Sequence, residues 1–159
     1  MSVIQELPGH LIRRLHQISV SAFTQEVGAA GFDLTPVQFA ALRMLKENPD
    51  IDQATLAGLI AYDRVTLGGV VNRLEARGLI ERTISETDRR ARQLRLTERG
   101  ESVLTTVWPA VRRTQETILK DLTPEEQETL LRLLRKMADA NNELSRAPLR
   151  PTPPKAPAR

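Results

Sequence analysis

Cysteine is absent from this chain of 159 residues, and histidine occurs only twice. Without cysteine the chain can form no disulfide, no thiolate metal site and no cysteine nucleophile, and two histidines leave little for a histidine-rich metal site. Aromatic residues make up only 3% of the sequence. No run of about 18 apolar residues is present, which argues against a membrane span. The N-terminus lacks the basic-then-apolar order of a signal peptide, so we expect a cytoplasmic protein. We also expect no metal and no cofactor.

Positive charge is concentrated in two segments of the sequence. Residues 147–159 contain two arginines, one lysine and no acidic residue, and their charge of +3 equals the net charge of the whole chain. Residues 1–146 are therefore neutral overall, but residues 64–99 hold nine arginines against five acidic residues. A local positive field of this kind attracts polyanions such as nucleic acids. On charge alone, a solvated surface without a partner is the alternative.

Four helices are predicted in the first half of the chain. Apolar residues recur at three- and four-residue spacing over 8–30, and Pro36 marks the first position of a second helix over 36–47. Asp52 opens a short third helix and Asp63 opens a fourth, because aspartate is a preferred N-cap residue. Gly78 ends the fourth helix, since glycine readily adopts the left-handed conformation of a C-terminal cap.

The sequence period changes after the fourth helix. Residues 79–84 and 92–96 are β-branched or alternate between polar and apolar, which predicts a β-hairpin whose long loop carries arginines. Two long amphipathic helices are predicted next, over 98–120 and 124–144, and Pro109 should kink or interrupt the first of them. The remaining segment has five prolines in thirteen residues, so we predict a disordered tail there.

This order of elements is typical of a winged helix-turn-helix, in which two short helices joined by a tight turn precede a two-stranded wing. We therefore predict a mainly α fold with a small β-hairpin wing and additional long helices. One face of the fourth helix is apolar and should belong to the core; it consists of Leu67, Val70, Val71 and Leu74. The opposite face is polar or small, so it can enter the major groove of DNA, which is about 12 Å wide.

Three segments resemble the MarR family (multiple antibiotic resistance regulators). Residues 88–100, DRRARQLRLTERG, are similar to the wing signature of that family, an Asp-x-Arg tip followed by a Leu-Thr-x-x-Gly strand exit. Residues 63–82, DRVTLGGVVNRLEARGLIER, resemble its recognition helix and first wing strand, and residues 34–45, LTPVQFAALRML, resemble its second helix. The resemblance covers roughly residues 8–145. It implies a sequence-specific DNA-binding transcriptional regulator. We interpret it as a repressor that a small anionic effector, such as an aromatic acid or an acyl-CoA, releases from a palindromic operator.

The candidate DNA contacts lie on the fourth helix and on the wing. On the helix they are Arg64, Val65, Thr66, Gly68, Gly69, Asn72 and Arg73. Asn72 and Arg73 can donate hydrogen bonds to base edges or phosphates, and Val65 can touch a thymine methyl group. The adjacent glycines depart from the residues common in the family. Inside a helix they cost about 1 kcal/mol each relative to alanine, so something should offset them, such as a close approach of the backbone to DNA.

On the wing, the candidate DNA contacts are Asp88, Arg89, Arg90 and Arg92. Arginine is favoured in a narrow minor groove by the enhanced negative potential there. The resemblance implies that Arg90 reaches the minor groove, where an ion pair with Asp88 can aim its guanidinium. Arg89 suits a phosphate contact, and Arg95 on the second strand has a structural interpretation instead.

The last helix carries more apolar surface than a lone outer helix needs, and the resemblance implies a homodimer built from the N-terminal helix and the last two helices. Its two-fold symmetry would place two recognition helices about 34 Å apart on a palindrome. We therefore divide the chain into an N-terminal dimerisation helix (1–31), a winged helix-turn-helix domain (32–97), C-terminal dimerisation helices (98–146) and a proline-rich basic tail (147–159).

The candidate effector-binding residues are His10, Arg13, Arg14, His16, Phe39 and Trp108. His10 and Arg14 are four residues apart on one helix face, so they can clasp a carboxylate or phosphate, with the two aromatic residues as an apolar wall. The alternative is that the basic residues form a solvated face or polar contacts of the dimer. A metal site is the weaker hypothesis, because two histidines six residues apart cannot face one ion on a straight helix.

Two other classes of function compete with that of a DNA-binding regulator. A winged helix can serve as a protein–protein interaction module, with the arginine loop binding an acidic protein. An enzyme is not expected, because the sequence has no Ser-His-Asp order, no phosphate-binding glycine loop after a strand and no metal-ligand spacing.

Overall fold

The computed structural model of the protein describes residues 2–84 and 92–151. Within these ranges the chain forms six α-helices and two strands, and short 3-10 turns lie at Val3–Glu6 and Asn142–Leu144. The elements are α1 (Pro8–Ala29), α2 (Pro36–Glu47), α3 (Gln53–Leu59), α4 (Arg64–Ala76), β1 (Ile80–Ile84), β2 (Arg92–Leu96), α5 (Glu98–Leu119) and α6 (Pro124–Ala140). The predicted fold class, mainly helical with a small hairpin, is confirmed.

Contacts divide the chain into two compact units. In their described residues, the first comprises 2–36 and 105–133, and the second comprises 37–84, 92–104 and 134–151. The first unit holds α1 and most of α5, and the second holds the helix-turn-helix and the hairpin. The four regions expected from the sequence use other boundaries and stay a prediction.

The core of the second unit is apolar and centred on α4. The four α4 residues predicted to face inward, Leu67, Val70, Val71 and Leu74, are all at most 2% exposed, so that prediction is confirmed. They are joined by fully buried leucines from α2, α3 and β2, namely Leu42, Leu45, Leu56 and Leu94. Burial of such side chains stabilises the fold by about 1.5–3 kcal/mol each.

The ends of the short helices are fixed by side chains, as predicted. Asp52 accepts a hydrogen bond from the Thr55 N–H at 2.7 Å, and Asp63 accepts one from the Thr66 N–H at 2.9 Å. Each bond satisfies one of the backbone donors that a helix start leaves unpaired. At the other end of α4, Gly78 has a φ of 67°, which confirms the left-handed cap.

The wing is an antiparallel pair in which Ile80 lies opposite Leu96 and Ile84 lies opposite Arg92. Where β2 passes into α5, the Thr97 hydroxyl donates to the Gly78 carbonyl at 2.7 Å and accepts from the Gly100 N–H at 3.0 Å. A Cβ on residue 100 would collide with the Leu79 carbonyl oxygen. The threonine and glycine of the strand exit therefore have a physical reason, since α5 begins in close contact with the chain before β1.

The first unit contains α1 and most of α5, and an ion pair between Glu26 and Arg113 joins the two helices. Its core includes Phe23 and Val27 of α1 and Val107 and Ala110 of α5, all buried. The described structure keeps α5 unbroken through Pro109, so an interruption there is wrong, and a kink stays a prediction. Pro109 is exposed, and a helix of 22 residues tolerates the loss of the one backbone hydrogen bond that proline cannot donate.

No single helix among the described residues is long and apolar enough to cross a membrane; α3 and α4 reach that composition only as a pair bent by 109°.

The chain after α6 departs from the prediction of an unpacked tail. Leu149 donates its N–H to the Asn142 side chain at 2.8 Å, and the Arg150 N–H donates to the Gly58 carbonyl of α3 at 2.8 Å. The Arg150 guanidinium also donates twice to the carboxylate of Glu143, at 2.5 and 2.9 Å. The prediction is therefore wrong for these residues, because a paired charge and satisfied backbone groups replace apolar anchors. Residues 152–159 lie outside the described part of the chain.

Candidate nucleic-acid interface

The outer surface of α4 is exposed over its whole length. Its buried face is wholly apolar, whereas Val65 on the outer side is 87% exposed. The other residues predicted on this surface are also exposed, apart from Gly68, which is half-buried. At this exposure the Val65 side chain is accessible to a partner and can touch a thymine methyl group.

The start of α4 is held by Asp63. Besides the backbone contact, the Thr66 hydroxyl donates to the same Asp63 oxygen at 2.8 Å. These two hydrogen bonds hold the pKa of the Asp63 carboxyl below its usual value, because both favour the charged form. The hydroxyl proton of Thr66 is therefore committed to the cap, although its oxygen can still accept. Arg64 lies exposed beside this turn.

Neither glycine of the α4 pair is required by packing within the chain. A Cβ on residue 68 would lie 3.4 Å from Gln53 Nε2, the end of a flexible side chain, and a Cβ on residue 69 would lie 3.9 Å from Arg73 Nη2. Both distances are van der Waals contacts. Contacts within the described protein therefore do not compensate for the lower helix propensity of Gly68 and Gly69.

Arg82, at the middle of β1, was not singled out in the sequence and belongs to this surface. Its Nη2 donates to Asn72 Oδ1 at 2.6 Å, and its Nη1 donates to the Glu75 carboxylate. Asn72 and Glu75 are three residues apart on α4, so they share a face. That spacing, followed by an arginine on the next strand, is the signal in the sequence that could have indicated the cluster.

The hairpin is anchored to the loop before α3. Asp50 accepts hydrogen bonds from two guanidinium nitrogens of Arg95, at 2.8 and 2.9 Å, and Ile51 pairs with Leu94 as an isolated bridge. The structural interpretation of Arg95 agrees with this contact. Arg92 is exposed at the start of β2. The three other predicted wing residues, Asp88, Arg89 and Arg90, lie outside the described residues.

The basic residues predicted for an effector lie on α1, in the first unit. Arg13 donates to the Gln17 side chain at 2.9 Å, and Arg14 is exposed. At 100° per residue, His10 and Arg14 are about 40° apart around the helix, whereas His16 is about 160° from Arg14. One ligand held by His10 and Arg14 therefore does not reach His16 on the same helix.

The two aromatic residues predicted for the effector belong to different units. Trp108 is 45% exposed on α5 and lines a cavity of about 230 Å³ together with Pro109, Arg112, Arg113 and Glu116. Arg113 is already paired with Glu26 of α1 at 2.9 Å. Phe39 lies on α2, in the second unit. Within either unit, the described structure does not bring all the predicted effector residues together.

The helix-turn-helix, the exposed face of α4 and the antiparallel wing define a winged-helix DNA-binding protein. The sequence model described as the MarR family matches residues 32–91. The HTH-type transcriptional repressor NicR of Pseudomonas putida is 35% identical over 138 residues, which are 87% of this chain and 86% of NicR. The chain belongs to the MarR family, and it is a transcriptional regulator without enzymatic activity.

Two solved structures extend the similarity to the whole fold. BpsR of Bordetella bronchiseptica, whose DNA binding is regulated by 6-hydroxynicotinic acid, is 30% identical with a TM-score of 0.81, over 87% of this chain and 98% of BpsR. The transcriptional repressor CouR, solved on a 23-mer DNA duplex, is 30% identical with a TM-score of 0.80, over 87% of this chain and 96% of CouR. Members of this family bind DNA and small-molecule effectors.

Proposed function

We propose that this regulator is a repressor that binds a palindromic operator as a homodimer and is released by a small aromatic acid. The observation that carries the proposal is the division of α4 into a fully buried apolar face and an exposed face that holds Val65, Asn72 and Arg73. A helix with this division is fixed to its domain by one side and leaves the other side for the major groove.

The wing complements α4 in this proposal. Arg92 is exposed at the start of β2, directly after the arginine-rich loop of the sequence. Arginines at a wing tip can enter the minor groove or contact phosphates beside the half-site that α4 reads. Arg95 is not assigned to DNA, because its guanidinium is engaged by Asp50.

Exposed apolar side chains on the long helices support a dimer. Leu11, Leu15 and Ile18 of α1 are each more than 40% exposed, as are Leu134 and Met137 of α6. Surface of this kind, contiguous along helices, is typical of an interface. An isologous dimer would present two copies of α4 about one turn of DNA apart, which matches a palindromic operator.

The effector is assigned to the face of α1 that carries His10 and Arg14. An arginine and a histidine four residues apart can donate to one carboxylate, and hydrogen bonds to a charged group contribute about 1.5–3 kcal/mol each. The related BpsR responds to 6-hydroxynicotinic acid, which supports an aromatic acid as the class of ligand. The effector favours the form that does not fit DNA, and the coupling between two such sites is typically 1–3 kcal/mol.

A gel-shift titration tests the proposal. The DNA probe is a duplex selected by the wild-type protein from a pool with a random segment of about 20 base pairs, long enough for two half-sites. 6-Hydroxynicotinic acid is then added, with its neutral amide as a control for the carboxylate. We expect the acid to release DNA. His10→Ala and Arg14→Ala should need at least about tenfold more acid, as loss of one charged hydrogen bond implies, while binding DNA like the wild type.

Arg132→Ala, which removes an exposed arginine of α6, is the matched control and should behave as the wild type. If the His10 and Arg14 variants release DNA at the wild-type concentration of acid, the effector is held elsewhere. Salt separates the proposal from a protein–protein module, because log K for DNA falls linearly with log salt, by about 0.9 per phosphate contact. Binding whose affinity does not change with salt concentration and that selects no DNA sequence would favour a protein–protein interaction module.

A further inference from the structure

We propose that Arg82 is a specificity-determining positioning residue, which holds the Asn72 side chain so that its amide NH₂ faces acceptor atoms on a base edge. The inference rests on the proposed reading of an operator by α4. It assigns a role in sequence recognition to a residue of the wing strand, outside the recognition helix.

The orientation of the Asn72 amide follows from hydrogen-bond chemistry. A guanidinium carries only donors, so the atom of Asn72 that lies 2.6 Å from Arg82 Nη2 must be the carbonyl oxygen. The NH₂ group is then at the opposite corner of the planar amide. Asn72 is exposed, and its NH₂ donates to no other residue within the described part of the chain.

Arg82 is itself held in place by Glu75. Its other terminal nitrogen donates to the Glu75 carboxylate, one turn further along α4. The planar guanidinium thus spans two side chains of the recognition helix with a fixed geometry, which lysine cannot reproduce. A partly exposed ion pair of this kind contributes little to stability by itself, so its main consequence is geometric.

A fixed amide orientation reduces the number of bases to which Asn72 can form hydrogen bonds. A free asparagine can rotate and pair with adenine through both its oxygen and its nitrogen. Arg82 takes one lone pair of the oxygen and fixes its direction, so the proposed contact with a base uses the two donors of the NH₂ group. Its partners in the major groove are the acceptor atoms, which are N7 and O6 of guanine, N7 of adenine and O4 of thymine. Cytosine offers a donor at its N4 and is therefore disfavoured at this position.

The test compares base preferences rather than affinity alone. Duplexes are selected from the random pool by the wild-type protein and by Asn72→Ala, Arg82→Lys and the double variant, and the selected bases are counted at each position. Glu75→Gln loosens Arg82 without altering the contact pair. Arg99→Lys, at an exposed arginine of α5, is the control for an arginine-to-lysine change. Thermal melting of each variant reports folding.

We expect the wild type to disfavour cytosine by about tenfold at one position in each half-site, as expected for one good base contact. Asn72→Ala and Arg82→Lys should both reduce the discrimination against cytosine at that same position, and Glu75→Gln should reduce it partly. The double variant should lose no more discrimination than Asn72→Ala does. The inference is overturned if Arg82→Lys weakens binding evenly at all positions or relaxes a position that Asn72→Ala leaves intact. A wild type that selects no sequence contradicts the proposed function itself, and with it this inference.

If Arg82→Lys melts too low to be assayed, Glu75→Gln decides alone: relaxation at the Asn72 position supports the inference, and unchanged preference there refutes it.

Discussion

Replacing Gly69 by alanine should stabilise the free protein and weaken its complex with DNA. Gly69 is the sixth of 13 residues in α4, on the exposed face of the helix. Glycine in a helix interior loses more backbone entropy than alanine and is less favourable by about 1 kcal/mol. Since a Cβ at this position would meet nothing closer than Arg73 Nη2 at 3.9 Å, no clash within the chain offsets the gain.

The expected stabilisation is therefore about 1 kcal/mol, or an increase of about 2–4 °C in Tm for a chain of this length. The effect on DNA has the opposite sign. If the α4 backbone approaches DNA at Gly69, an added methyl group must move the helix away, and overpacking of a tight contact costs about 1–3 kcal/mol. We expect DNA affinity to fall by about tenfold, which corresponds to 1.4 kcal/mol.

Urea unfolding and gel-shift titration measure the two effects separately. Gly28→Ala on α1 is the matched control, because a Cβ there would also meet nothing within 4 Å. It should stabilise the protein and leave DNA affinity unchanged. A Gly69→Ala protein that is more stable and binds DNA as tightly as the wild type would refute the close approach of α4. Loss of stability would refute the packing argument instead.

Three further outcomes follow from the described contacts. Asp63→Asn keeps the α4 cap but has no titrating group. The stability that the Asp63 carboxylate contributes should therefore be lost only in the wild type, as the pH falls below about 4 and through the lowered pKa of Asp63. Thermal melts of both proteins at a series of pH values measure this loss. Gly100→Ala should lower the free energy of unfolding by at least about 2 kcal/mol, because its Cβ would overlap the Leu79 carbonyl, and wild-type urea unfolding would contradict that overlap. Deleting 147–159 should lower Tm more than deleting 152–159, since only the longer deletion removes the contacts with α3 and with the 3-10 turn after α6; equal Tm values would show that those contacts contribute nothing.

The sequence predicted most of the fold because local signals and global packing agree there. Asp52, Asp63 and Gly78 mark helix ends through their own chemistry, and the structure uses each of them in that way. The buried face of α4 follows from the spacing of its apolar residues. Such features need no information from residues distant in the chain, which is why they can be predicted from the sequence alone.

Two of the misses come from contacts between residues that are separated along the chain. Arg82 contacts Asn72, which lies ten positions earlier on α4, and its only signal in the sequence is the spacing of Asn72 and Glu75 before an arginine of the next strand. The structural role of Arg95 was expected, but nothing in the sequence indicates its partner Asp50, 45 positions away. Arg150 was assigned to an unpacked tail on composition, but its N–H meets a backbone carbonyl of α3 that no local rule could identify. The DNA-contacting and effector-contacting residues stay predictions, since they concern partners outside the chain.

The described arginines of residues 64–99 differ in whether a carboxylate engages them. Arg82 and Arg95 are bound to carboxylates of their own unit, whereas Arg64, Arg73 and Arg92 are exposed and make no ion pair with another described residue. An arginine engaged by a carboxylate is a poor phosphate ligand, because contact with DNA would break an existing pair. We therefore expect the salt dependence of DNA binding, which counts phosphate contacts, to be set by the unengaged arginines rather than by the net charge of the segment. In this proposal the net charge of the segment attracts DNA, and the pairing of individual arginines decides which of them contact it.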